Sequence, residues 1–247
     1  ILFRSDASTK FAPENYWGNF YNVSAGWVIS EESFFHSNAI NYLKLRLSHG
    51  KLGNDQTAAW GWLQRYTYQQ GKGGVFGENN NSIDASTGLK MEKSPNRNAT
   101  WANEYKNNIG IDARFLDSRL SATIDGYYNK GYDLLVIRTG NIPVSVGGSV
   151  AAENYGRKNT FGYEFELGWQ DKVNEVNYGI STRFSWSNDK VILGDFNDID
   201  ILYPWKARPN GPSDNGAWGY DYLGMFKTQQ DIDNYVSQYN IKQVFEE

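Results

Sequence analysis

Glu164 and Glu166 stand two residues apart inside an alternating run, the arrangement that puts both side chains on one face of a β-strand. Their separation of about 6.5–7 Å along the backbone lies near the lower edge of the range inverting glycosidases use, so glycoside hydrolysis is the chemistry such a pair would do. That chemistry needs one carboxyl kept protonated by desolvation, and nothing in the flanking sequence sets either apart. The same spacing describes acidic side chains on a hydrated wall, and no catalytic residue is assigned.

Other reactive constellations fail on composition or spacing. His36 and His49 form no H-x-x-x-H pair, and the chain has no Cys, so zinc and thiolate sites lack their ligands. Asp195, Asn197, Asp198 and Asp200 resemble a calcium loop but lack its Gly at the sixth position and Glu at the twelfth. There is no G-x-S-x-G elbow and no complete Walker A sequence, and Gly71-Lys72-Gly73-Gly74 leads from no predicted strand into a helix. No metal or cofactor is expected. What remains is a set of aromatics outside the predicted strands: Trp60, Trp62, Tyr66, Tyr68, Trp101, Trp205, Trp218, Tyr220 and Tyr222. Flat rings there can stack on sugar faces or on a partner protein, or can pack together as small cores within the loops.

The elements that must position these residues are strands. Tyr21 to Ile29, Leu43 to Ser48, Asn108 to Phe115, Leu120 to Tyr128, Thr160 to Trp169 and Asn177 to Trp186 all alternate with period two, and Ile1–Ser5 forms a possible partial strand. Their polar sides carry Lys44, Arg46, Asp112, Arg114, Asp125, Glu164, Glu166 and Arg183. Short connections (30–39, 116–119, 171–174) alternate with long ones (55–100, roughly 130–158), a pattern foreign to compact soluble domains. It matches outer-membrane barrels, with short turns on the periplasmic side and long extracellular loops. Trp27, Tyr105, Phe115, Phe161, Trp169, Tyr178 and Trp186 would contribute to an aromatic girdle. Fewer than eight strands cannot close such a barrel, so the expected fold class is all-β, an antiparallel transmembrane β-barrel arc.

Composition agrees. Net charge of −4 leaves no basic footprint for nucleic acid. The longest aliphatic run, Leu134-Leu135-Val136-Ile137, is too short for a membrane-crossing helix, which says nothing against crossing strands. Residue 1 is Ile, with neither an initiator Met nor a signal peptide, so the chain is expected to be a piece of a longer protein. A soluble secreted β-sandwich that binds carbohydrate through its loop aromatics is the alternative.

Several blocks, in order, resemble the SusC/RagA family of TonB-dependent transporters. They are Arg4-Ser5-Asp6-Ala7-Ser8-Thr9-Lys10-Phe11 through Asn15-Tyr16-Trp17-Gly18, then Ser24-Ala25-Gly26-Trp27-Val28-Ile29-Ser30-Glu31-Glu32, and Leu43-Lys44-Leu45-Arg46-Leu47-Ser48 through Gly53-Asn54-Asp55. Asn108-Ile109-Gly110-Ile111-Asp112, Asp133-Leu134-Leu135, Asn154-Tyr155-Gly156, Gly162-Tyr163-Glu164-Phe165-Glu166-Leu167-Gly168-Trp169 and Asn188-Asp189-Lys190-Val191 follow. Ala7 stands where the family usually has Gly, and Lys10 where it commonly has Arg. The resemblance implies that residues 1–247 are part of a 22-stranded barrel domain in a Gram-negative outer membrane, with the plug domain, TonB box and C-terminal strands outside it. It implies import of oligosaccharide or peptide, a SusD-like surface lipoprotein as cap, energy from TonB–ExbB–ExbD through the plug, contact with outer-membrane lipid, a dimer of transporter–lipoprotein pairs, and no catalysed reaction. The charged residues would then border the lumen.

Overall fold

The strict two-residue alternation produces long strands in the computed structural model, which describes residues 1–74, 87–139, 149–222 and 224–240. In chain order the strands are β1 (Leu2–Ala7), β2 (Trp17–Val28), β3 (Ile40–Asn54), β4 (Tyr66–Gln69), β5 (Gly88–Met91), β6 (Lys93–Ser94), β7 (Ala102–Phe115), β8 (Leu120–Val136), β9 (Ser149–Val150), β10 (Glu153–Val173) and β11 (Val176–Leu193). Seven of them form one antiparallel sheet in the order β1-β2-β3-β7-β8-β10-β11. These are the six alternating segments and the partial first strand expected from the sequence. Connections 29–39, 116–119 and 174–175 lie at one end of the sheet, and 8–16, 55–101 and 137–152 at the other.

Register sorts the two faces. Trp27, Leu45, Ile111, Ile124, Phe165 and Phe184 form one continuous cross-strand row, and Ala25, Leu47, Ile109, Gly126, Tyr163 and Trp186 form the next. Phe115, Leu120, Trp169 and Ile180 make a third toward the short turns. Ring stacking reinforces the rows, with Phe165 and Phe184 at 5.2 Å and Tyr163 and Trp186 at 5.6 Å between centroids. Nothing among the described residues covers this face: Ile109 and Ile124 remain 52% and 53% exposed. An uncovered apolar surface of this extent needs a non-aqueous neighbour.

Several strands run further than periodicity indicates. β7 starts at Ala102, β8 reaches Val136 and β10 starts at Glu153, so much of the expected connection 130–158 is strand. The extensions were invisible because both faces are polar there (Asn103 to Asn107) or because the alternation breaks. Asp133 adopts a positive φ of 55°, and the β8–β10 register shifts between Asn154 and Gly156 and again before Lys158. Tyr66 and Tyr68, expected in a loop, lie on β4, which pairs with β5 in a small hairpin; β6 and β9 make a short parallel pair. The expected connection also includes residues 140–148, which lie outside the described ones.

Burial concentrates at the end of the sheet with the long connections. Phe11, Phe20, Ala99 and Trp101 form the core there, with Tyr16 and Leu135 packed against it. Trp101 lies 5.6 Å from Phe11 and 5.2 Å from Phe20, and its indole N–H donates to the Tyr16 carbonyl at 3.0 Å. Gly53 is required beside it, since a Cβ at that position would collide with the Phe20 ring. Trp101 is only 9% exposed, which removes it from the candidate binding aromatics: its ring is used up in tying the 8–16 connection to the start of β7.

Gly216–Glu247 is a separate unit. Its helix α1 (Gln229–Tyr239) opens on a capping box, in which the Thr228 hydroxyl accepts from the Asp231 N–H and the Asp231 carboxylate accepts from the Thr228 N–H. Asn240 closes it in the left-handed region at φ 50°.

Truncating the ring at the centre of the core tests this account. Trp101→Ala should lower the unfolding free energy by about 3 kcal/mol in a denaturant titration, whereas Trp60→Ala, at an exposed position, should change it by less than about 0.5 kcal/mol.

Candidate functional site

All eight charged residues singled out from the sequence fall on the face opposite the apolar rows. Gly26, Arg46, Gly110, Asp125, Glu164 and Ser185 form one row there, and Lys44, Asp112, Thr123, Glu166 and Arg183 form the next. Arg114 lies one row further toward the short turns, opposite Ser121. The Arg46 guanidinium donates to both Asp112 oxygens, at 2.7 and 3.0 Å, and to Asp125 at 2.9 Å. That single side chain therefore clamps three strands. Gly110 lies between Arg46 and Asp125 in the register, and a Cβ there would stand 2.5 Å from Asp125 Oδ1 and 2.6 Å from Arg46 Nη2. The Gly of the Asn108–Asp112 block thus has a steric cause: it is the gap through which the arginine passes.

Arg183 and Glu166, directly opposite in the register, make a two-pronged ion pair at 3.0 and 3.1 Å. Arg114 lies over the Tyr42 ring at 5.4 Å. Lys44 and Glu164 enter no ion pair among the described residues. Glu164 and Glu166 do share a face, as their spacing demands, but Glu166 is held by Arg183. Among the described residues no cluster of His, Asp and Glu could hold a metal ion.

The loop aromatics separate into small groups. Trp60 and Trp62 approach to 6.3 Å, and the Arg97 guanidinium lies 5.6 Å over the Trp62 ring. Tyr66 and Tyr68 are exposed on β4, 60% and 77%. Trp205 packs on Tyr203 at 5.1 Å. Trp218, Tyr220 and Tyr222 belong to the second unit, where all three are exposed.

A further cluster went unnoticed in the sequence although the motif blocks contain it. The Ser8 hydroxyl donates to Asp55 at 2.7 Å, and the Lys10 ammonium lies 3.3 Å from the same Asp55 oxygen. Asn154 accepts from the Thr100 N–H and donates to the Thr100 and Asp133 carbonyls, each at 2.8 Å. Asn15 donates to the Arg97 and Ala99 carbonyls, while Glu14 pairs with Arg97 at 2.7 Å. Blocks far apart in the chain thus meet at the bases of the long connections. Their fixed order was the available signal; their contacts were not.

A long-stranded antiparallel meander with one uncovered apolar face, one self-paired charged face and connections that are short at one end defines a stretch of β-barrel wall. No helix among the described residues is long and apolar enough to cross a membrane. The chain is similar to the TonB-dependent receptor P26 of Formosa agariphila, 28% identical over an alignment of 244 residues that covers 94% of this chain and 23% of that protein. It is likewise similar to the TonB-dependent receptor SusC of Bacteroides thetaiotaomicron, 29% identical over 198 residues, 77% of this chain and 19% of that protein. It therefore spans about a fifth of the length of these curated relatives. Its fold is similar to that in the RagAB peptide importer in the closed-closed state, with a TM-score of 0.64 at 22% identity over 77% of this chain and 20% of that one. The open-open state gives a TM-score of 0.64 at 24% identity, over 76% and 19%. No protein-family model matches the chain. The resemblance to SusC/RagA-type TonB-dependent transporters is thus shown by sequence and supported by fold.

The Ser8–Asp55–Lys10 cluster generates a pH dependence. The Ser8 hydroxyl, the largest influence, holds the Asp55 carboxyl below the usual carboxylate range against the opposing effect of burial, with help from the Lys10 ammonium. A carboxyl depressed by folding stabilises the folded form above its unfolded pKa and loses that contribution as pH falls through its folded value. Hydrogen-exchange protection of residues 8–16 should therefore be full at pH 7 and decline below about pH 4, while Asp55→Asn should leave it low at both.

Proposed function

We propose that this chain is an arc of the outer-membrane barrel of a SusC-type TonB-dependent transporter. The observation that carries this is the opposition of the two faces: apolar rows without cover on one side, charges on the other, five of them paired across strands. Lipid is the neighbour that suits the first, and a hydrated lumen suits the second. Lys44, Arg46, Asp112, Arg114, Asp125, Glu164, Glu166 and Arg183 would line that lumen, with the free Lys44 and Glu164 available to passing solute or to a plug. A soluble sandwich would need a second sheet over the apolar rows, and none is found among the described residues.

The remaining parts of the machine follow from this assignment. The protein imports an oligosaccharide or a peptide in a Gram-negative outer membrane, within a closed 22-stranded barrel whose plug domain and TonB box couple it to TonB–ExbB–ExbD. A SusD-like lipoprotein caps the end with the long connections, where Trp60, Trp62, Tyr66, Tyr68, Trp205, Trp218, Tyr220 and Tyr222 are candidates for ligand or lipoprotein contact. Two transporter–lipoprotein pairs form the dimer. No step makes or breaks a covalent bond in the cargo. Similarity to proteins named TonB-dependent receptors and to a peptide importer supports this assignment.

Residues 1–247 contain no Cys, so each introduced thiol is the only one in this segment, and labelling is read against the parent protein without it. Leu45→Cys, Ile111→Cys and Phe165→Cys should react with a lipid-soluble maleimide and resist a charged one, and Glu164→Cys and Ser185→Cys should show the reverse in outer-membrane vesicles. A sandwich would protect the first set from both reagents, and that outcome would sink the barrel. Mass spectrometry of the detergent-extracted complex should also find a co-purifying surface lipoprotein; its absence from a gently solubilised preparation would remove the capping partner.

A further inference from the structure

Between the row that contains Lys51 and the row of Phe115, Leu120, Trp169 and Ile180, both included, strands β2 to β11 of the main sheet present three charged side chains on the apolar face. They are Lys51, Lys130 and Lys190, and all stand in one row. The register runs Phe3, Tyr21, Lys51, Tyr105, Lys130, Asn159, Lys190 across all seven strands. No Asp or Glu shares this face over that span; the acidic side chains are on the other side. No ion pair among the described residues reaches any of the three lysines. Lys130 and Lys190 are exposed and Lys51 half-buried.

Aromatic groups brace the row. Lys130 Nζ lies 5.7 Å from the Tyr128 ring centroid, the Tyr21 hydroxyl lies 3.3 Å from His49 Nε2, and Tyr105 stacks between His49 at 5.9 Å and Tyr132 at 5.1 Å. The row's height is also telling. Leu120 to Lys130 spans about 33 Å along β8, which at the usual barrel tilt becomes about 25 Å, the thickness of the apolar band of an outer-membrane barrel. With Leu120 and Trp169 at one boundary, the lysines reach headgroup level at the other.

We propose that Lys51, Lys130 and Lys190 form a binding belt for a phosphorylated glycolipid headgroup of the lipid A type in the outer leaflet. The inference rests on the membrane assignment above and goes beyond it. Neighbouring lysines are separated by two strand steps, about 10 Å. A broad saccharide headgroup bearing more than one phosphate can meet two of them together, whereas a phospholipid with one phosphate meets a single lysine. The row lies at the end with the long connections, the outer side of such barrels, and three cations without an ion pair among the described residues, on a span of this face that holds no Asp or Glu, supply the charge complementarity.

The test uses the full transporter in mild detergent, with native mass spectrometry after addition of diphosphoryl lipid A or phosphatidylglycerol. Lipid A adducts should exceed phosphatidylglycerol adducts, and each lysine neutralised in a Lys51→Gln, Lys130→Gln, Lys190→Gln series should weaken lipid A retention about fivefold. The triple Arg variant should retain it, and Lys106→Gln, on the opposite face, should not matter. Unchanged adducts in the triple Gln variant would overturn the belt, and equal adducts with both lipids would overturn its glycolipid specificity. Recovery of the protein without detergent would instead overturn the membrane assignment itself, a separate result read before any lipid is added.

Discussion

A slip of one residue between any two long strands would carry every charge of the polar face onto the apolar one, and the rest of the structure depends on preventing it. Hydrogen bonding alone does not choose, because each ladder is satisfied equally well in the slipped register. The choice is made by side chains. Arg46 reaches Asp112 and Asp125 only when β3, β7 and β8 are in step, and Glu166 meets Arg183 only when β10 and β11 are. Individually such half-exposed pairs contribute little to stability. Their value here is selective: a slipped sheet would place these same groups among isoleucines and phenylalanines, where an unpaired charge costs far more than a pair gains.

The sheet itself was legible in the sequence wherever one face was apolar. The six segments with clean alternation, and the tight Leu116–Arg119 turn between two of them, correspond to observed elements. Legibility ended at the height where the apolar rows end, because beyond it Asn103 to Asn107 and Asn129 to Asp133 have no apolar side for a period-two test to find. Strand continues there because pairing partners already lie alongside, a tertiary effect that no window of local sequence contains. Parity alone indicated that the eight charged residues share one face of the sheet, and the register puts them there. The burial of Trp101 was not legible locally: it precedes a stretch of polar strand, and its packing depends on Phe11 and Phe20, which lie some eighty to ninety residues earlier in the chain.

The motif blocks acquire a physical meaning once they are seen together. Gly110 leaves passage for Arg46, Gly53 leaves room for Phe20, Asn154 fastens Thr100 to Asp133, and Ser8 fastens Asp55. Most of these residues position backbone at the loop bases and do not themselves face a ligand. These blocks build the frame, and on the assignment proposed here a cargo would be met by groups on connections such as 55–101.

The strands do not stop where the lysine row lies. β8 and β10 each continue six residues past it, β3 and β7 three, so that on the assignment proposed here a hydrogen-bonded collar rises about 7–15 Å above the lipid headgroups before any loop begins. Molecules approaching from outside would meet this stiff parapet and its loops well clear of the crowded saccharide layer at the membrane surface. Reach is thus obtained with regular, internally paired backbone, which loses little further freedom when a cargo or a cap settles on it, and the loops themselves can stay short relative to the height at which they act.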